Sequence, residues 1–121
     1  MENGDFIVYS EMLHPVVQKN TILQLDWLLK YDVDVNYRYQ YWCTPLHKTV
    51  TNGCTTSVSR LLKVDGIDAE ATNRGDGFDV LTMAICGMKQ GITKLLQNSG
   101  KMRTAFGSAK FLEYIKKKKI W

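Results

Sequence analysis

A chain of 121 residues with 45% apolar content can build one domain with a core, and a globular domain of this size buries roughly 65–70% of its unfolded surface. The net charge of +4 falls to zero without the four lysines at 116–119, so the body of the chain makes no general electrostatic claim on nucleic acid or membrane. No stretch approaches the roughly 18 consecutive apolar residues that span a bilayer, and the N-terminal stretch carries Glu2 and Asp5 where a secretory signal would be basic. An odd cysteine count, Cys43, Cys54 and Cys86, argues against a disulfide framework and for a reducing compartment, the cytoplasm or the nucleus.

Residues 1–10 are expected to form a lead-in whose Phe6, Ile7 and Val8 cover the open face of the helix that follows. That helix, over 11–19, holds Leu13 and His14, and Pro15 is tolerated in its first turn if it begins near Leu13. Asn20 and Thr21 end it and cap a second helix over 22–30, in which Ile22, Leu25, Leu28 and Leu29 share a face. Residues 31–43 break this period. Tyr37, Tyr39 and Tyr41 alternate with Arg38 and Gln40, and period two predicts extended chain. Tyr39, Tyr41 and Trp42 then either pack against adjoining loops or form an aromatic contact patch, since aromatic side chains serve both ends.

The stretch 43–62 organises the rest. Thr44 is an N-cap, Pro45 suits the first helical position, and Leu46, Thr49 and Val50 recur at helical spacing up to the left-handed exit at Asn52 and Gly53. Thr55 to Ser57 offer a fresh cap for a helix whose apolar face is Val58, Leu61 and Leu62. The next connection, 63–79, contains Gly66, Gly75 and Gly77. Residues 80–87 and 91–98 make a third helix pair, ended by Ser99 and Gly100. After a linker, Ser108 caps a last helix with Phe111, Leu112 and Ile115 on one side; a competing reading takes Thr104, Ala105 and Phe106 as the remnant of a fourth unit.

These pairs recur at a near-constant spacing. Leu25, Leu28 and Leu29 reappear as Val58, Leu61 and Leu62, and again, one position further on, as Ile92, Leu95 and Leu96; Leu13 and His14 reappear as Leu46 and His47 in the register of the first step. A period of about 33 residues marks a helical solenoid. Thr44-Pro45-Leu46-His47 resembles the signature tetrapeptide of the ankyrin repeat family, and Asp34-Val35-Asn36 resembles the tripeptide that closes a repeat there. The expected fold is therefore all-α: an ankyrin-like solenoid of about three repeats (11–43, 44–78 and 79–100) with short β-hairpin fingers, then a linker and basic helix over 101–121. The resemblance places a finger at 31–43, with Trp42 where family members carry a glycine near the tip. A second finger, over 63–79, is longer, because Leu81 lies further from Leu46 than Leu46 does from Leu13. The resemblance also makes His14 and His47 structural, with rings that hydrogen-bond within and between repeats.

Signals for chemistry are absent. Cys43, His47 and Cys54 match no zinc-finger spacing and lack a fourth ligand, and Asp65, Asp68, Asp76 and Asp79 lack the spacing and terminal glutamate of a calcium loop. Ser57, Ser59 and Ser108 have no apparent base, and no phosphate loop or nucleophile elbow occurs. No catalysis, cofactor or metal is expected. The resemblance implies protein–protein recognition by a monomer, through outward slots at Lys48, Thr51 and Asn52, with Pro15, Gln18 and Lys19 before them and Met83, Cys86 and Gly87 after them. Tyr39, Tyr41 and Trp42 from the first finger, with Arg74 and Phe78 from the second, complete the expected patch. Two other readings are a nucleic-acid or nuclear-targeted binder using the basic tail, with affinity that falls steeply in salt, and a piece of a longer repeat protein with little function alone.

Overall fold

Thr44 starts the central helix as its side chain predicts. The Thr44 hydroxyl accepts from the His47 N–H at 3.3 Å, the ring Nδ1 of His47 accepts from the Thr44 N–H at 3.1 Å, and Pro45 fills the first helical position. Two donors that a helix start leaves unpaired are thereby satisfied inside the protein. At the other end of this helix Gly53 takes φ +72° and ψ +25°, the left-handed exit that glycine adopts without steric cost.

The computed structural model describes residues 3–19, 21–75 and 77–102, with side chains from Val8 onward. Six α-helices occur among them: α1 (Asn3–Gln18), α2 (Ile22–Leu28), α3 (Pro45–Asn52), α4 (Thr55–Leu62), α5 (Val80–Cys86) and α6 (Gln90–Asn98), and no strand. They form three pairs, α1 with α2, α3 with α4 and α5 with α6. In one layer α1 packs on α3 and α3 on α5; in the other α2 packs on α4 and α4 on α6. The expected all-α class holds. No helix among the described residues is long and apolar enough to cross a membrane.

The core runs between the layers. Leu25 and Leu28 of α2, Val58 and Leu61 of α4, and Ile92 and Leu96 of α6 are buried against Leu13, Leu46, Val50, Leu81 and Ala84 of the other layer. Each fully buried leucine stabilises the fold by roughly 1.5–3 kcal/mol over an exposed one. On the α2–α4 side Arg60 Nε meets Asp26 Oδ1 at 3.0 Å, a half-exposed pair worth about 0–1 kcal/mol. At the first pair Tyr9, Trp27 and Tyr31 pack ring on ring, with centroids 4.8–6.2 Å apart, and tie α1 to α2 and to the first connection.

Side chains join the connections. Asp34 and Asp68, equivalent positions in the two loops, each accept from the N–H two residues on, at 2.9 and 3.1 Å. Asn36 then bridges the two loops: its Oδ1 accepts from the Asp68 N–H and its Nδ2 donates to the Gly66 carbonyl, both at 2.8 Å.

Four expectations need correction. The first helix does not begin near Leu13; α1 starts at Asn3 and absorbs most of the lead-in, because nothing at Glu11 or Met12 stops it. Pro15 therefore lies in the helix interior, where it leaves the Glu11 carbonyl without its N–H partner, and it does so on an exposed face. The first connection is no β-hairpin. Residues Gln40–Trp42 form a single 3-10 turn, closed by Tyr39 N–H to Cys43 C=O at 2.8 Å, and Tyr41 and Trp42 take φ +57° and +61°. Trp42 thus adopts the left-handed backbone that a glycine would favour there. Tyr37, Arg38 and Tyr39 are each held by a side-chain hydrogen bond to another part of the chain. The second connection, too, contains no strand among its described residues; Asn73 closes it, its Oδ1 accepting from the N–H groups of Gly77 and Phe78. Finally, Thr55 to Ser57 do not cap a helix: the N-cap of α4 is Cys54, without a side-chain cap bond, whereas Thr21 stands at the N-cap of α2 as expected, although its hydroxyl makes no cap bond. The cap missed in the sequence is Asp79, whose carboxylate accepts from the Thr82 N–H at 2.8 Å. The expected C-terminal helix and the lysine run lie outside the described residues.

Candidate functional site

His47 sets the geometry of the face formed by α3 and α5. Because Nδ1 accepts from the Thr44 N–H, and also lies 2.8 Å from the Thr44 hydroxyl, the ring proton sits on Nε2, which donates to the Phe78 carbonyl at 3.1 Å. The ring is 1% exposed, so this is a scaffold bond and no metal ligand or base. It fixes Phe78, the last residue but one before α5, beside the first turn of α3.

A cleft of about 290 Å³ opens there, lined by Val50 and Thr51 of α3, Phe78, Met83 and Cys86 of α5, and Gly87 and Lys89 of the turn that follows. Five of the sequence-derived candidates, Thr51, Phe78, Met83, Cys86 and Gly87, line it. Lys48 lies one helical turn before Thr51 on the same face, half-buried. Its charge and the burial of the ring, burial foremost, hold the His14 imidazole below its ordinary pKa, against a hydrogen bond with Gln18 that acts the other way. Asn52 donates through Nδ2 to the Gln18 carbonyl at 3.3 Å and so ties α3 to α1.

Lys89 was not visible as a site residue in the sequence. Its aliphatic stem lies 3.4 Å from where a Cβ on Gly87 would be, and its ammonium 3.5 Å from where one on Gly53 would be. The missed signal is this pair of glycines at the ends of α3 and α5, neighbours in one layer, where no Cβ stands in the way of a long side chain. The Lys89 charge also reaches Cys54, where it lowers the thiol pKa against the larger effect of burial, which raises it. The three cysteines form no disulfide.

The turn that precedes α3 is aromatic. Tyr41 is 72% exposed and Trp42 44%, and Trp42 carries the Arg74 guanidinium 4.6 Å from its ring centroid and that of Arg38 at 5.4 Å. Such contacts contribute ~0.5–1 kcal/mol at exposed sites. Arg38 Nη1 donates to the Trp42 and Thr72 carbonyls at 2.7 and 2.9 Å, and the Arg74 N–H donates to the Tyr41 carbonyl at 2.8 Å. Two successive left-handed non-glycine residues cost about 1–3 kcal/mol each, and these bonds hold them in place with both rings outward.

Tyr39 is separate from this patch. Its hydroxyl donates to the Ser10 carbonyl at 2.6 Å, its ring stacks on His14 with centroids 4.5 Å apart, and burial pushes its phenol far above the ordinary range. It joins the first connection to α1. A second cavity, of about 420 Å³, is lined by α5, α6 and the turn between them, with Ile85, Met88 and Thr93 among its walls. No group of three or more His, Cys, Asp or Glu side chains placed to hold a metal ion occurs among the described residues. No protein-family model matches the chain, and no curated protein matches it.

Proposed function

We propose that this chain is a small ankyrin-like repeat module that binds another protein, without catalysis, through the face built by α3, α5 and the Tyr41–Trp42 turn. The observation that carries the reading is the convergence of Thr51, Phe78 and Met83, from three segments, on one open cleft, with two exposed aromatic rings in the turn that precedes α3. Aromatic, methionine and arginine side chains are the types enriched in protein interfaces, and a rigid Trp–Arg pair suits a binding anchor. The repeat reading is supported by the three helix pairs, by the regular recurrence of buried leucines from pair to pair, and by Asn36, which bonds one connection to the next. The expected setting is a reducing compartment, cytoplasm or nucleus, and the expected state a monomer.

The test is affinity capture from a cell extract with wild type, Met83→Arg and Trp42→Ala, each first shown to be folded by circular dichroism. Loss of the same captured protein in both variants is expected. Unchanged capture by both would remove this face as the binding surface.

A further inference from the structure

We infer that the open end of the helix stack, at α5 and α6, is a docking surface for this chain's own segment 108–115, covered by Phe111, Leu112 and Ile115. The inference goes beyond the binding reading and does not depend on it.

Burial locates the surface. Val17, Val50 and Ile85 hold the same place in α1, α3 and α5, one helical turn after Leu13, Leu46 and Leu81; the first two are fully buried, but Ile85 is only half-buried. The other layer agrees. Leu28 and Leu61 are buried, while their counterpart Leu95 in α6 is half-buried. Leu29, Leu62 and Leu96 run in the opposite order, with the first half-buried and the other two buried. A position therefore loses cover where no helix pair among the described residues lies on its side of the stack: before the first pair for Leu29, after the last for Ile85 and Leu95. Met88, 83% exposed, joins Ile85 in the wall of the 420 Å³ groove, which reaches Gln97 in the last turn of α6 and takes no wall from α1 to α4.

The path of the chain names the occupant. After α6, Gly100 takes φ +72° as Gly66 does at +83°, and Met102 packs on the core as Val33 and Ile67 do early in the two preceding connections. Ile115 lies as far beyond Met102 as Leu46 lies beyond Val33, so its place in the chain is that of the leucine that a further first-layer helix would bury against α5. A helix over 108–115 is about 12 Å long at ~1.5 Å per residue, between α5 with 7 residues and α6 with 9. Residues 103–107, as a linker, reach roughly 12 Å on average and hold the segment at an effective concentration of about millimolar, which a second copy at micromolar concentration does not match. Lys89 and Lys94 stand at the groove and the segment is itself basic, so charge opposes the contact and apolar burial carries it.

Methyl NMR of the full chain, with protonated Phe and labelled Ile and Met methyls, tests this. Cross-relaxation is expected between the Phe111 ring and the methyls of Ile85 and Met88, unchanged on about tenfold dilution. In full-length Ile115→Ser these cross-peaks should weaken and amide exchange at Ile85 and Leu95 should speed up roughly tenfold. Exchange at Leu13 and Leu46 should keep its wild-type rate, a locality that general misfolding cannot produce. Absence of the cross-peaks in wild type would overturn the proposal. Cross-peaks arising only between differently labelled molecules in a mixed sample would also overturn it and give the surface to a second copy.

Discussion

His14 and His47 both follow a leucine, occupy equivalent positions in successive helix pairs and belong to the same layer, yet only His47 has both ring nitrogens engaged. The difference is where the helix begins. At α3 the chain turns into the helix at Thr44, leaving an N–H for the His47 ring to accept from. At α1 the helix comes through from Asn3, so the Glu11 N–H is already directed at the carbonyl four residues back. His14 Nδ1 is buried with no hydrogen-bond partner, and the ring is held by stacking on Tyr39. A Leu-His pair thus acts as a clasp only beside a helix start, and the dipeptide alone does not say whether one is there.

The largest consequence is at His47. Replacing it with Ala removes the acceptor for the Thr44 N–H and the donor to the Phe78 carbonyl, both in the interior, at about 1–3 kcal/mol for each group left unsatisfied. His47→Ala is expected to lose about 3 kcal/mol in urea unfolding followed by circular dichroism. A loss below about 1 kcal/mol would mean that the clasp is ornamental. Next comes the residue that makes the start: Thr44→Ala should cost about 1–2 kcal/mol by the loss of an N-cap. Glu11→Ala, at the matching position of the preceding pair, lies within a helix and is exposed, and should change stability by less than about 0.5 kcal/mol. Similar losses in the two variants would erase the distinction between the two helix starts.

The same contrast explains how much could be read from the residues. The helix pairs, the all-α class and the left-handed turn at Gly53 are legible because leucine spacing, Thr44-Pro45 and glycine act locally. The length of α1 is not, because it depends on a missing stop signal at Glu11 and Met12, and a missing signal is hard to see. Period two at Tyr37 to Tyr41 reports alternation but not what each face meets, so Tyr39 reads as a patch residue until the end of α1 is placed above it. In the cleft, Thr51 and Met83 follow from the slots that the repeat resemblance implies. Lys89 does not, since it reaches back from the next helix pair across two glycines. Asn36 likewise acts on a loop 30 residues away.

A smaller effect is expected at His14 itself. His14→Phe keeps a ring against Tyr39 and removes an unpaired buried nitrogen while giving up the hydrogen bond with Gln18, so the two effects oppose and stability should change by no more than about 1 kcal/mol. Clear destabilisation would show that Nδ1 has a role that the geometry leaves unassigned.

The smallest effect is in pH. Burial foremost, and then the Lys48 charge, lower the His14 pKa in the folded protein below its ordinary 6.5. The unfolded chain therefore binds this proton at a higher pH than the folded one does. Where the unfolded state holds more protons, stability rises with pH. The contribution is thus full above about 6.5 and is lost as pH falls from there toward the lower folded value, below which both states are protonated and the slope ends. Urea midpoints measured across this window should decline with acidification in wild type and decline less in His14→Phe. Lys48→Gln should flatten the wild-type slope only in part, because burial is the larger cause; a slope abolished by Lys48→Gln would reverse that order and make the neighbouring charge, not the burial of the ring, the main cause of the His14 shift.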